Sequence, residues 1–173
     1  MVAPTMLAQT MVAQNVVFGI LAVVMVAAAF RLVTTQNVVR AALFLAIVLA
    51  GAAGLYILLA AEFVAWVQVL VYIGAVVVLL LFGVMLTRAP IGRDADLDND
   101  QRLLGALVAL FLFGSLGAVL IDGFGDQKVG TVAIRRTAEV SDSLFGDYVI
   151  PFEVSSVLLL AALVGAVALA RRD

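Results

Sequence analysis

Between Arg40 and Arg88 the chain carries a single charge, Glu62. As one helix, residues 41–87 would extend roughly 70 Å at 1.5 Å per residue, more than twice the thickness of a bilayer core. The run must therefore fold back, and Ala60-Ala61-Glu62 is where the apolar stretch is interrupted. A chain of 173 residues that is 65% hydrophobic, with a mean hydropathy of +1.22, has too much apolar surface for a soluble domain to cover. The fold class expected is an all-α integral membrane protein.

The remaining charges mark the other spans. Residues 1–30 carry none, and Arg40 to Glu62 brackets 21 uncharged residues. Glu62 to Arg88 brackets 25, Arg102 to Asp122 brackets 19, and Glu153 to Arg171 brackets 17. A crossing needs about 17–25 apolar residues. Five transmembrane helices are expected in a single membrane domain, at about 14–32, 38–60, 62–87, 102–121 and 151–170, with a loop at 122–150. The first positive charge, Arg31, follows the first apolar run, so that run reads as a span and not as a secretory signal. Ala27-Ala28-Ala29 within it reads as a close-packing face.

Basic residues near span ends give an orientation. With the N-terminus outside and the C-terminus inside, the inner side holds Arg31, Arg40, Arg88, Arg93, Arg102, Arg171 and Arg172, and the outer side Lys128, Arg135 and Arg136. Seven against three favours that arrangement.

Composition also bounds the chemistry. With no Cys and no His, the chain cannot hold a thiolate-bound iron–sulfur cluster, a histidine-ligated haem, or a zinc site built on those residues. A net charge of −2 argues against a nucleic-acid partner, and no phosphate-cradling glycine loop is present. Asp94, Asp96, Asp98 and Asp100 alternate in the loop 88–101, but the glycine and closing glutamate of a calcium loop are missing, so it reads as solvated. The later loop ends in Ser141-Asp142-Ser143-Leu144-Phe145-Gly146, a short helical turn stopped by glycine, and Pro151 suits the first turn of the last span. No internal repeat of the kind found in secondary transporters is visible, and no charge lies at mid-span.

The third span is unusual in its polar content. Glu62 at its start is either a carboxylate favoured by the helix dipole or a proton-titrating group on a water path. Gln68 and Tyr72, four apart, share one face of an α-helix and supply either interhelical hydrogen bonds or a water chain. Gly74 and Ala75 allow close helix approach, or with Tyr72 they mark a π-bulge, a feature common at functional sites. Elsewhere, Glu153 reads as a dipole-compensating charge, and Trp66 and Tyr148 as interfacial anchors. Met25, Met85 and the phenylalanines read as core or lipid-facing filler, and Gly114 with Ala118 as a small-residue packing pair.

Three motifs together resemble one family. The span from Glu62 through Tyr72-Ile73-Gly74-Ala75 to Leu86 closely resembles the third helix of the NuoJ family, subunit J of bacterial complex I and the equivalent of mitochondrial subunit 6. Thr34-Thr35-Gln36-Asn37-Val38-Val39-Arg40 is similar to that family's start of helix two, and Pro151-Phe152-Glu153-Val154-Ser155-Ser156 to its last helix. The resemblance implies a membrane subunit of proton-translocating NADH:quinone oxidoreductase with no redox centre of its own. FMN, iron–sulfur clusters and quinone would belong to other subunits, and the partners would be other membrane subunits, especially the A-, H-, K- and N-type. The location implied is the bacterial inner (plasma) membrane. It further implies that helix three switches between an α form and a π-bulged form near Tyr72, Gly74, Ala75 and Val76, making and breaking a water path. Glu62 and Gln68 are candidates for that path on their own polarity, as alternatives to dipole compensation and interhelical hydrogen bonding. Two alternatives remain: the same subunit in a ferredoxin- or F420-fed sister enzyme, or a purely structural scaffold.

Overall fold

A computed structural model describes residues 4–86, 101–126 and 136–171. The aspartates at 94, 96, 98 and 100 lie outside the described residues, as do Arg88, Arg93, Lys128, Arg135 and Arg172 of the charge count. The described chain is all-helical: α1 Pro4–Thr34, α2 Val38–Leu58, α3 Glu62–Leu86, α4 Arg102–Phe124, α5 Thr137–Phe145 and α6 Val149–Ala170. Five of these, all but α5, are long and apolar enough to cross a membrane.

Helix α1 begins ten residues ahead of the expected start, because nothing between Pro4 and Gln14 breaks a helix and proline is tolerated at its first position. At the other end of the chain, α4 passes through Gly123 and stops at Gly125, whose N–H bonds the Ile121 carbonyl at 2.8 Å. Helix α5 begins at Thr137, four residues before the expected turn, and is capped by Gly146. Helix α6 starts at Val149, which places Glu153 beyond the first turn, away from the strongest part of the helix dipole.

The turns between α1, α2 and α3 are built from local chemistry. Asn37 stands in extended backbone ahead of α2, and its Oδ1 accepts from the Arg40 N–H at 3.0 Å, satisfying one of the free amides at the helix start. The α2–α3 turn closes with two bonds: Ala61 N–H to the Tyr56 carbonyl at 2.9 Å and Ala60 N–H to the Ile57 carbonyl at 2.9 Å. This pair of bonds is a Schellman motif. Its left-handed position, usually glycine, is taken by Ala60 at φ 56°. The reversal between α2 and α3 therefore rests on a mildly strained alanine.

Packing is uneven. Helix α2 lies between α1 and α3 and contacts both along their lengths. Small side chains make this possible: Ala28, Ala42, Gly51, Ala53 and Ala65 are buried. A Cβ on Gly51 would collide with Met25, coming within 2.7 Å of its sulfur, and one on Gly54 would sit 3.1 Å from Leu21 Cδ1. Met25 and Leu21 of α1 therefore seat directly on the glycines of α2. Helix α5 touches the first turns of α3 and the start of α6, where Phe145 and Phe152 pack edge to face with ring centres 5.2 Å apart. Among the described residues, α4 contacts no other helix, and α6 contacts only α5.

Candidate functional site: the third span

Helix α3 is not one regular helix. It is α-helical over Glu62–Val67, π-helical over Gln68–Val77, and α-helical again over Val78–Leu86. At the end of the π segment the Val78 N–H bonds the Ala75 carbonyl, three residues back, a local tightening before α geometry resumes. Most π segments are single turns, so ten residues of π geometry in mid-span is a pronounced departure. The segment contains Gln68, Tyr72, Gly74, Ala75 and Val76, the sequence-derived candidates apart from Glu62.

The π geometry decides which side chains face α2. Gln68 is 8% exposed and Val77 is 3% exposed, so both point into the chain's own packing. They are nine residues apart. In a continuous α-helix, at about 100° per residue, nine steps leave two side chains on opposite faces, about 180° apart. Closing hydrogen bonds over five residues in place of four removes that rotation and brings Val77 round beneath Gln68.

The same geometry corrects one expectation. Gln68 and Tyr72 do not share a face: Gln68 is buried, and Tyr72 is 48% exposed. A spacing of four is one α-turn but less than one π-turn, so Tyr72 is carried off the inward face and Ile73, half-buried, takes its place. Val76 at 49% and Val78 at 57% flank the buried Val77 and face outward. Gly74 and Ala75 are also exposed, beside Tyr72. Gly74 is not forced by its own chain, since a Cβ there would meet only the Val69 carbonyl at 3.5 Å, an ordinary contact.

The remaining candidates divide clearly. Glu62 is exposed in the first turn of α3 and lies away from the π segment, on the rim of a groove. Trp66 and Tyr148 are exposed. Gly114 and Ala118 are on α4, where no described residue lies opposite them. Met25 is more than filler, because it fills the space that a side chain at Gly51 would need. The sequence signal for that seam was present in Ala50-Gly51-Ala52-Ala53-Gly54, a run of five small residues in α2.

These features define a class: a five-span membrane protein whose third span is broken by a long π segment, and in which, among the described residues, α4 packs on no other helix and α6 only on α5. Sequence comparison places it within that class. A profile of the NADH-ubiquinone/plastoquinone oxidoreductase chain 6 family matches residues 28–169, and the chain belongs to that family. It is 40% identical over 166 residues to NAD(P)H-quinone oxidoreductase chain 6 of Synechocystis, covering 92% of this chain and 82% of the relative. It is 42% identical over 168 residues to F(420)H(2) dehydrogenase subunit J of Methanosarcina mazei, covering 92% of each. A chloroplastic NAD(P)H-quinone oxidoreductase subunit 6 from Mesostigma viride is 34% identical over 163 residues.

Proposed function

We propose that this chain is the J-type membrane subunit of a proton-translocating NADH:quinone oxidoreductase, and that α3 gates a water path coupling quinone reduction to proton movement. Family membership supports the first part. The observation that carries the second is the π segment Gln68–Val77. A segment held in an uncommon hydrogen-bonding register has a ready alternative, the α-helix, and two registers of similar free energy make a switch that a distant event can bias.

The consequence of switching follows from the geometry. Return to a continuous α register, with the Glu62–Val67 end held in place, would swing Val77 away from α2 by about half a turn. Tyr72, Ala75 and Leu79 would turn toward α2 in its stead, at four, seven and eleven residues from Gln68. A phenol would then replace a branched aliphatic side chain along one side of the helix. Apolar constrictions gate by excluding water, and a hydroxyl admits it. Gln68, at the hinge of the two registers, supplies an amide to that path, and Glu62 lies at its end toward the α2–α3 turn.

In this reading the redox chemistry, with FMN, iron–sulfur clusters and quinone, is carried by other subunits. The exposed faces of α4 and α6 are where A-, H-, K- and N-type neighbours pack in a bacterial plasma membrane. A second reading keeps the gate and changes the electron donor: the likeness to a dehydrogenase subunit named for F(420)H(2) is as strong as that to the NAD(P)H-linked relatives. A scaffold without a gate would share the same neighbours.

The test is made in the assembled enzyme. Gly74→Leu, whose Cβ would meet only the Val69 carbonyl at an ordinary 3.5 Å, and Tyr72→Phe are expected to lower protons moved per quinone reduced while the complex remains assembled. Unchanged coupling in both variants rejects the gate and leaves the scaffold.

A further inference from the structure

We propose that the groove between the end of α2 and the start of α3 is a lipid site selective for a phospholipid whose headgroup ends in an ammonium group. Ile57, Glu62, Ala65, Trp66 and Val69 line it, and its volume is about 420 Å³. Ala65 is buried and small, and so forms the floor. Ile57 and Val69 form apolar walls continuous with the surface of the span, and each is partly exposed.

The polar groups sit at one end only. Glu62 is the first residue of the apolar helix α3, so a bilayer spanned by α3 would meet its carboxylate at one boundary, with the rest of the groove running on toward the hydrocarbon. Trp66 is four residues on in the α-helical part of α3, which puts indole and carboxylate on neighbouring positions of one face. An ammonium group held between a carboxylate and an indole gains charge pairing and a cation–π contact together. Acyl chains attached to that headgroup would lie along Ile57 and Val69. No other described residue forms an ion pair with Glu62, so the carboxylate is available. An anionic headgroup without an ammonium would meet the carboxylate with repulsion. A lysine or arginine from a neighbouring subunit could offer the same charge, but the apolar walls of Ile57 and Val69 beyond the carboxylate fit an acyl chain better than a single charged side chain.

Glu62 and Val69 are shared with the proposed water path and the π segment, but lipid selectivity is read from labelling and the gate from protons moved per quinone reduced, so either can fail alone. The experiment uses the chain purified with the subunits it assembles with, in nanodiscs of phosphatidylethanolamine and phosphatidylglycerol. A trace of either lipid carries a photoreactive group on its acyl chain, and labelled peptides are mapped by mass spectrometry. The phosphatidylethanolamine probe is expected to label the 57–69 segment roughly two- to five-fold more than the phosphatidylglycerol probe, the range a single exposed cation–π contact supplies. Glu62→Gln and Trp66→Leu should each abolish that preference while labelling of α6 stays constant. The contrast between the two probes on the unmutated protein needs no variant to fold. Equal labelling by both lipids overturns the proposal. So does carbodiimide coupling of Glu62 to a lysine of a neighbouring subunit in place of lipid labelling.

Discussion

Gly51 and Gly114 are the same residue in two spans of similar length, yet they do opposite things. Gly51 of α2 is buried under Met25, and any side chain there collides with α1. Gly114 of α4 faces open space, as do Gly105, Gly117 and, on α6, Gly165. The α1–α2 seam uses Gly51 and Gly54 to seat Met25 and Leu21 of the same chain. Helices α4 and α6 present theirs to whatever lies next to them in the membrane. In hydrocarbon the apolar effect does not drive helices together, so close van der Waals contact at small residues is what associates them. The two parts therefore differ: α1 and α3 both pack on α2, whereas the small residues of α4 and α6 stay open among the described residues.

That division can be broken most directly at Gly51. Gly51→Val should separate α1 from α2 and cost about 1–3 kcal/mol, as overpacking commonly does, visible as a lower unfolding temperature of the detergent-solubilised protein. Asn37→Ala removes the cap of α2 and should cost about 1 kcal/mol in the same assay. Ala60→Gly acts in the other direction. It relieves a left-handed alanine in the α2–α3 turn and should stabilise by up to about 1 kcal/mol, provided the Schellman bonds persist. The smallest effect is expected at Gly114→Leu, within about 0.5 kcal/mol for the chain itself. If the comparison is right, that last variant still reduces the amount of protein recovered with partner subunits. A Gly114→Leu protein that unfolded like Gly51→Val would erase the distinction.

Much of this was legible before any coordinates. The number of spans follows from where charges fall, because burying an unpaired charge in lipid is costly. The special character of the third span was visible in Gln68, Tyr72, Gly74 and Ala75, polar and small residues where a lipid anchor needs neither. What could not be read was the face each occupies. A spacing of four between Gln68 and Tyr72 signals a shared face only if the helix is α, and over these residues it is not. Nothing in the sequence set Val77 apart from Val76 and Val78, yet it alone of the three is buried. Met25 was similarly silent until Gly51 was placed opposite it.

Composition and charge spacing alone determined that this protein is a set of apolar helices, and local motifs around Tyr72 pointed to its family. Which helices pair, and which way α3 turns its residues, were decided only in three dimensions. The physical reason is that span formation depends on transfer of each segment from water to lipid, a property of the segment itself. Pairing and helical register depend on differences between closely matched contacts, and those exist only once a neighbouring backbone is in place.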